Sequence, residues 1–280
     1  MSLKFMYITN NPQVAIIAQK CGVDRIWIDL ETTGKCERQK HIDSVKSHHC
    51  IENIKQIAPL LDVAEMMVRV NPISNDSKNE IDQVIEAGAD IIMLPMWRVT
   101  AEVSAFLKCV GGRVKTTLLL ETSEAVDCID EVLAMGGFDE IHIGLNDLHL
   151  SYGLNFMFEL LSNGVVEGLC EKFKQSGIPY GFGGIAGIGE GTLPAEKIVM
   201  EHYNLGSSRV ILSRSFCNTG EIISFDETEK LFVKNMTALR EFEKEMSNLT
   251  LEAFQNNKLE IKLCVDRIVA QMKARGKNEL

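Results

Sequence analysis

Short apolar runs punctuate the chain at residues 5–9, 24–29, 65–70, 90–94, 115–120, 141–143, 178–181 and 208–212. Each is strand length, and most hold consecutive apolar residues rather than a strict alternation, as expected of strands buried on both faces of a parallel sheet. Helix-length amphipathic segments lie between them, among them 51–61, 77–88, 101–110, 123–135 and 194–205, with 155–176 reading as one long, broken helical segment. Asn10 or Asn11 caps the first helix, and Pro12 suits its first turn. Eight strands alternating with helices predict an α/β fold, a (β/α)8 TIM barrel, over residues 1–225. The pattern then changes. Phe232, Met236, Leu239, Phe242 and Met246 recur at helical spacing, and 251–273 holds a further amphipathic helix. Residues 226–280 therefore read as a C-terminal helical extension whose apolar face needs a partner, either the barrel or another subunit.

Composition narrows the class. A chain of 280 residues suits one large α/β barrel or two modest domains. Its net charge of −10 argues against nucleic acid as the main partner. No apolar run approaches a membrane span, and the first residues lack the basic and apolar regions of a signal peptide. Eight scattered cysteines without a Cys-x-x-Cys pair read as buried hydrophobes or free thiols of a reducing compartment, so a cytoplasmic location is expected.

Candidate chemistry sits where strands end, because in such barrels the carboxyl ends of the strands face the ligand. Glu121 follows the fifth strand and Asp147 follows the sixth. Two carboxylates at matching positions suit a hard divalent cation, Mg²⁺ or Mn²⁺, with coordination positions left for substrate. The alternatives are ordinary: Glu121 or Thr122 as a helix N-cap, Asp147 as a turn former. Asp29 and Glu31 leave the second strand two residues apart and point the same way. Arg69 lies near the end of the third strand, 65–70, where an arginine among apolar residues needs an anion or a carboxylate partner. Arg214, after the eighth strand, is a second possible anion contact. The segment 32–50 is basic, with Lys35, Arg38, Lys40, His41, Lys46, His48 and His49, and suggests an anionic part of the substrate; a solvated loop is its plain alternative. The glycine-rich stretch 181–191 imitates a dinucleotide fingerprint without its helix and reads instead as a lid or anion-cradling loop.

Read as an ordered set, Asp29-Leu30-Glu31, Val68-Arg69-Val70-Asn71, Glu86-Ala87-Gly88-Ala89-Asp90-Ile91-Ile92-Met93-Leu94-Pro95, Leu120-Glu121-Thr122 and Ile143-Gly144-Leu145-Asn146-Asp147-Leu148 resemble the metal-dependent pyruvate aldolases, of the 4-hydroxy-2-oxoheptanedioate aldolase type, and the citrate lyase β-subunit group. The resemblance spans roughly residues 20–215 and implies a phosphoenolpyruvate/pyruvate-type barrel. It implies that Glu121 and Asp147 are metal ligands and that Arg69 contacts the pyruvyl oxygen. It also implies that the backbone of Gly144, Leu145, Asn146 and Asp147 holds the substrate carboxylate. A C-terminal helix placed on a neighbouring subunit, hence a homo-oligomer, is a further implication. One position departs. Where the aldolase branch carries histidine after the glutamate that matches Glu31, and the lyase branch aspartate, this chain carries Thr32. Proton transfer would then pass to His48, His49 or His149, or to different chemistry.

The expected reaction is cleavage or formation of a carbon–carbon bond beside a 2-oxo acid, through an enolate stabilised by the metal and by Arg69. The expected substrates are a pyruvate-type 2-oxo acid and an anionic aldehyde. A Schiff-base route needs a lysine at a strand's active end, and Lys115 begins its strand instead. The alternatives are a citrate-lyase-like acyl ester or thioester lyase and a non-catalytic metabolite-binding barrel. The phosphoenolpyruvate mutase and isocitrate lyase group is matched poorly by Gly34-Lys35-Cys36-Glu37.

Overall fold

The computed structural model describes residues 2–32, 49–217 and 224–276, leaving aside the side chains of 214, 275 and 276. Eight parallel strands close into a barrel in sequence order, the fold expected from the run pattern. They are β1 (Lys4–Ile8), β2 (Arg25–Asp29), β3 (Glu65–Arg69), β4 (Ile91–Leu94), β5 (Lys115–Leu120), β6 (Glu140–Ile143), β7 (Tyr180–Ile185) and β8 (Arg209–Leu212). The helices are α1 (Pro12–Lys20), α2 (Ile51–Ile57), α3 (Ser77–Glu86), α4 (Thr100–Val110), α5 (Ser123–Asp127), α6 (Ile129–Met135), α7 (Leu145–Ser151), α8 (Glu159–Ser162), α9 (Val165–Gln175), α10 (Ala195–Leu205), α11 (Phe225–Met246) and α12 (Leu251–Gly276).

Alternation within each strand makes two cores. Met6, Trp27, Met67, Ile91, Met93 and Leu119 cluster inside the barrel. Their strand neighbours, such as Ile26, Ile28, Val68, Ile92, Leu118 and Leu120, pack outward under the helices. α11 lies between α1 and α10, with Phe232, Met236 and Leu239 buried. α12 packs on α8 and α10 through Ile261, Val265 and Val269. The apolar stripes of the C-terminal segment thus have the barrel's own helices as partners, while Leu251, Leu259 and Leu263 face outward. Among the described residues no helix is long and apolar enough to cross a membrane.

Two local expectations change, and a further helix follows β6. The first half of the glycine-rich stretch is strand, because β7 runs to Ile185. Glycine is needed there for contact rather than for a lid: a Cβ at Gly181 would stand 2.2 Å from the Arg209 carbonyl oxygen, and the β7–β8 register shifts between Gly181 and Gly184. The helix expected over 123–135 is two, joined at Cys128. The segment after β6 is helical. Leu145, Leu148 and His149 are its buried face, at i, i+3 and i+4.

Candidate active site at the carboxyl end of the barrel

Strand register brings the first pair together. Asp29 and Arg69 are the last residues of β2 and β3 and lie side by side in the ladder. Arg69 donates from Nε to Asp29 Oδ1 at 2.9 Å and from Nη2 to Asp29 Oδ2 at 2.8 Å, a two-pronged clamp. The same Nη2 lies 3.3 Å from Glu31 Oε2. The guanidinium sits 5.4 Å from the centre of the Trp27 ring, which floors it from inside the barrel. Burial works against the charge on Arg69. Asp29, Glu31 and Glu121 outweigh it and hold the group above its ordinary value.

Glu121 leaves β5 into the same space and is 2% exposed. Thr122, not Glu121, is the N-cap of α5: its side chain accepts from the Ala125 N–H at 3.2 Å and donates to the Trp97 carbonyl at 2.8 Å. The glutamate is thereby left to the site. Its Oε1 accepts the Met96 N–H at 3.0 Å. Met96 has φ of +54°, the left-handed region that non-glycine residues avoid. Gly144 closes the other side. A Cβ there would come within 2.9 Å of Glu121 Oε2 and 3.0 Å of Glu121 Cβ, so a side chain at this position would displace the carboxylate. Burial first, opposed by Arg69 and reinforced by Asp147 and Glu31, pushes the Glu121 carboxyl up to about 8.

Asp147 stands half-buried in the first turn of α7, within the electrostatic reach of Glu121 that this shift requires. Leu145 is buried and Asn146 exposed beside it. Arg69, Asp29, Glu31, Glu121, Gly144 and Asp147 are therefore brought together at one end. The Arg214 side chain lies outside the described residues, as do Lys35, Arg38, Lys40, His41, Lys46 and His48. Thr32 is turned away from proton transfer: its N–H and hydroxyl both approach Asn71 Oδ1, at 2.9 and 3.3 Å. Asn71 is held in turn by Glu80. His149 is buried with Nδ1 on the Leu145 carbonyl of its own helix at 3.1 Å. His49 touches the site, because its Nδ1 accepts the Asp29 N–H at 3.0 Å. The role of Met96 was not foreseen, since a backbone N–H leaves no mark in a sequence. Among the described residues, no group of three or more His, Cys, Asp or Glu side chains converges as a metal cluster.

An eight-stranded parallel barrel with carboxylates gathered round a buried arginine at its carboxyl end is the architecture of a barrel enzyme. The chain belongs to the HpcH/HpaI aldolase/citrate lyase family, whose model matches residues 4–157. That membership supports a lyase- or aldolase-type activity. Solved structures share the fold at low identity. An HpcH/HpaI aldolase from Desulfitobacterium hafniense DCB-2 is 15% identical, with 76% of this chain and 86% of that one covered and a TM-score of 0.56. A family protein from Burkholderia cenocepacia J2315 is 14% identical, covering 86% and 94%, with a TM-score of 0.57. The citrate synthase SbnG is 17% identical, covering 76% and 85%, with a TM-score of 0.56. No curated protein matches the chain.

Proposed function

We propose that this chain is a divalent-metal-dependent carbon–carbon lyase, an aldolase that makes or cleaves an adduct of a pyruvate-type 2-oxo acid through an enolate. The observation that carries the reading is the meeting of Glu121 and Arg69: a buried carboxylate with a raised pKa beside a guanidinium anchored by Asp29. Glu121 and Asp147 fit Mg²⁺ or Mn²⁺. Both offer hard oxygens, and such ions need only one or two carboxylates when solvent and substrate complete the shell. Gly144 lets the Glu121 carboxylate keep its place, which a Cβ at 144 would displace. When bound, the ion supplies Lewis-acid polarisation of the 2-oxo acid.

The chain's own residues do the rest. Arg69 places fixed positive charge where enolate charge develops, with little reorganisation because Asp29 and Glu31 already hold it. Trp27 seals the site from below and keeps the local dielectric low. The backbone of Gly144, Leu145 and Asn146 receives the substrate carboxylate. Arg214 and the lysines and arginine of the basic segment 32–50 attract an anionic aldehyde. Assembly into a homo-oligomer in the cytoplasm belongs to the same reading.

The test follows the methyl protons of pyruvate in D₂O. Exchange should need Mg²⁺ or Mn²⁺, stop with chelator, and fall at least about a thousandfold in Glu121→Gln. Exchange that ignores chelator, or survives the substitution, sinks the assignment.

A further inference from the structure

The β2 strand has a hydrogen-bonding gap at its active end. β1 pairs with β2 only as far as Ile8 opposite Trp27, and its last bond runs from the Thr9 N–H to the Trp27 carbonyl. On the other side the Leu30 N–H is taken by the Arg69 carbonyl. The Asp29 N–H therefore lies beyond the reach of the β1 ladder. His49 supplies the acceptor, with Nδ1 at 3.0 Å. A backbone N–H can only donate, so Nδ1 carries no proton and the neutral ring keeps its proton on Nε2.

We propose that His49 is a positioning residue of this site. Its unprotonated Nδ1 fixes the backbone of Asp29, and Asp29 in turn fixes Arg69 through both carboxylate oxygens. The inference deepens the reading of Arg69 as the cation facing the substrate's developing charge, and rests on it. It also assigns His49 a task other than that of the reaction's base. In the tautomer the geometry requires, Nε2 already carries its proton, so it donates. The other tautomer would set N–H against N–H. His49 thus ties an electrostatic group of the site to a ring eighteen residues beyond the acidic pair Asp29 and Glu31, counted from the latter.

Two substitutions separate the two ring nitrogens. His49→Asn keeps an acceptor where Nδ1 stands and removes the Nε2–H, while His49→Ala removes both. Pyruvate exchange should stay within about threefold of the parent in His49→Asn and fall about tenfold or more in His49→Ala, chiefly in kcat. Equal losses in the two variants overturn the proposal. Two further readouts need no turnover. Hydrogen exchange at the Asp29 amide should be slow in the parent and in His49→Asn and fast in His49→Ala. The ¹⁵N shifts of the His49 ring at pH 8 should report bare Nδ1 and protonated Nε2. A protonated Nδ1, or an Asp29 amide equally protected in all three proteins, refutes the role. A chain that shows both signatures but no exchange of pyruvate refutes the lyase reading and leaves His49 as the holder of Asp29 and Arg69.

Discussion

Glu121 and Glu140 are buried glutamates of one barrel, at opposite ends, and their surroundings could hardly differ more. Glu140 begins β6 and is 4% exposed. Arg25 grips it with two nitrogens, Arg209 donates to it at 2.6 Å and Thr117 at 2.8 Å. Arg25 also binds Glu65 at 3.0 Å, which Lys115 meets from the far side. Burial raises the Glu140 carboxyl, but the two arginines and Thr117 more than reverse it and hold the group below its ordinary range. Glu121 is buried as deeply, yet its hydrogen bond is from a main-chain N–H, and its carboxyl rises to about 8. One end of the barrel spends its charges on one another. The other keeps a carboxylate under electrostatic tension, which is how a fold leaves room for a ligand's charge.

The largest effect expected from this contrast is on stability. Glu140→Gln leaves Arg25 and Arg209 facing a neutral amide in the barrel floor and should destabilise by about 3–5 kcal/mol, read from the urea midpoint at constant slope. Glu121→Gln should not destabilise the metal-free protein at all at pH 8. A comparable loss in both would mean that the two ends are alike.

Arg69→Lys comes next. A point charge cannot bridge both Asp29 oxygens and reach Glu31, so pyruvate exchange should fall about a hundredfold, about 2.7 kcal/mol in the barrier. Retention of most of the activity would show that the fork geometry is dispensable.

The pH dependence of stability discriminates further. A carboxyl raised in the folded state holds its proton after the unfolded chain has lost it, so between pH 5 and 8 the unfolded state binds fewer protons at this group. Stability from Glu121 is full below its ordinary pKa near 4.5 and drains as pH rises toward 8. Glu140 has the opposite sign: its contribution is present at neutral pH and is lost as pH falls through the lowered carboxylate value. His142, buried on the Gly183 carbonyl and lowered to about 4, also weakens the fold toward acid. The observable is therefore a difference. Glu121→Gln minus parent, both with chelator, should grow by about 1–3 kcal/mol from pH 5 to 8. A flat difference would place Glu121 among ordinary ion-paired carboxylates.

How much of this could be read from the chain depends on whether the information is local. Strand ends are local, so the apolar runs ending at Asp29, Val70 and Leu120 brought Asp29, Arg69 and Glu121 to within a residue of a strand end. The barrel floor was also written locally, as charges opening β2, β3, β6 and β8, but their mutual pairing depends on closure of the sheet. Gly144 was legible as backbone but not as the space beside Glu121, because that contact joins two strands. The glycines of β7 misled for the same reason, since a residue needed for close approach to β8 looks, in isolation, like a loop former. The helix after β6 was hidden by its two polar residues, Asn146 and Asp147, in the first turn.

The smallest effect tests whether the tension at Glu121 is held by backbone alone. Met96 pays for its left-handed φ of +54° with about 1 kcal/mol of strain, and what the site takes from it is an N–H that any residue would provide. Met96→Gly keeps that donor and removes the strain, while giving the unfolded chain more freedom, about 0.4–1 kcal/mol in the other direction. The two nearly cancel. Stability should shift by no more than about 1 kcal/mol, and pyruvate exchange should stay within about twofold. A loss of activity as deep as that of Arg69→Lys would mean that the half-buried Met96 side chain, and not its main chain, aims the carboxylate, and the account of how Glu121 is kept apart from the arginine-bound Glu140 would have to be rebuilt around packing.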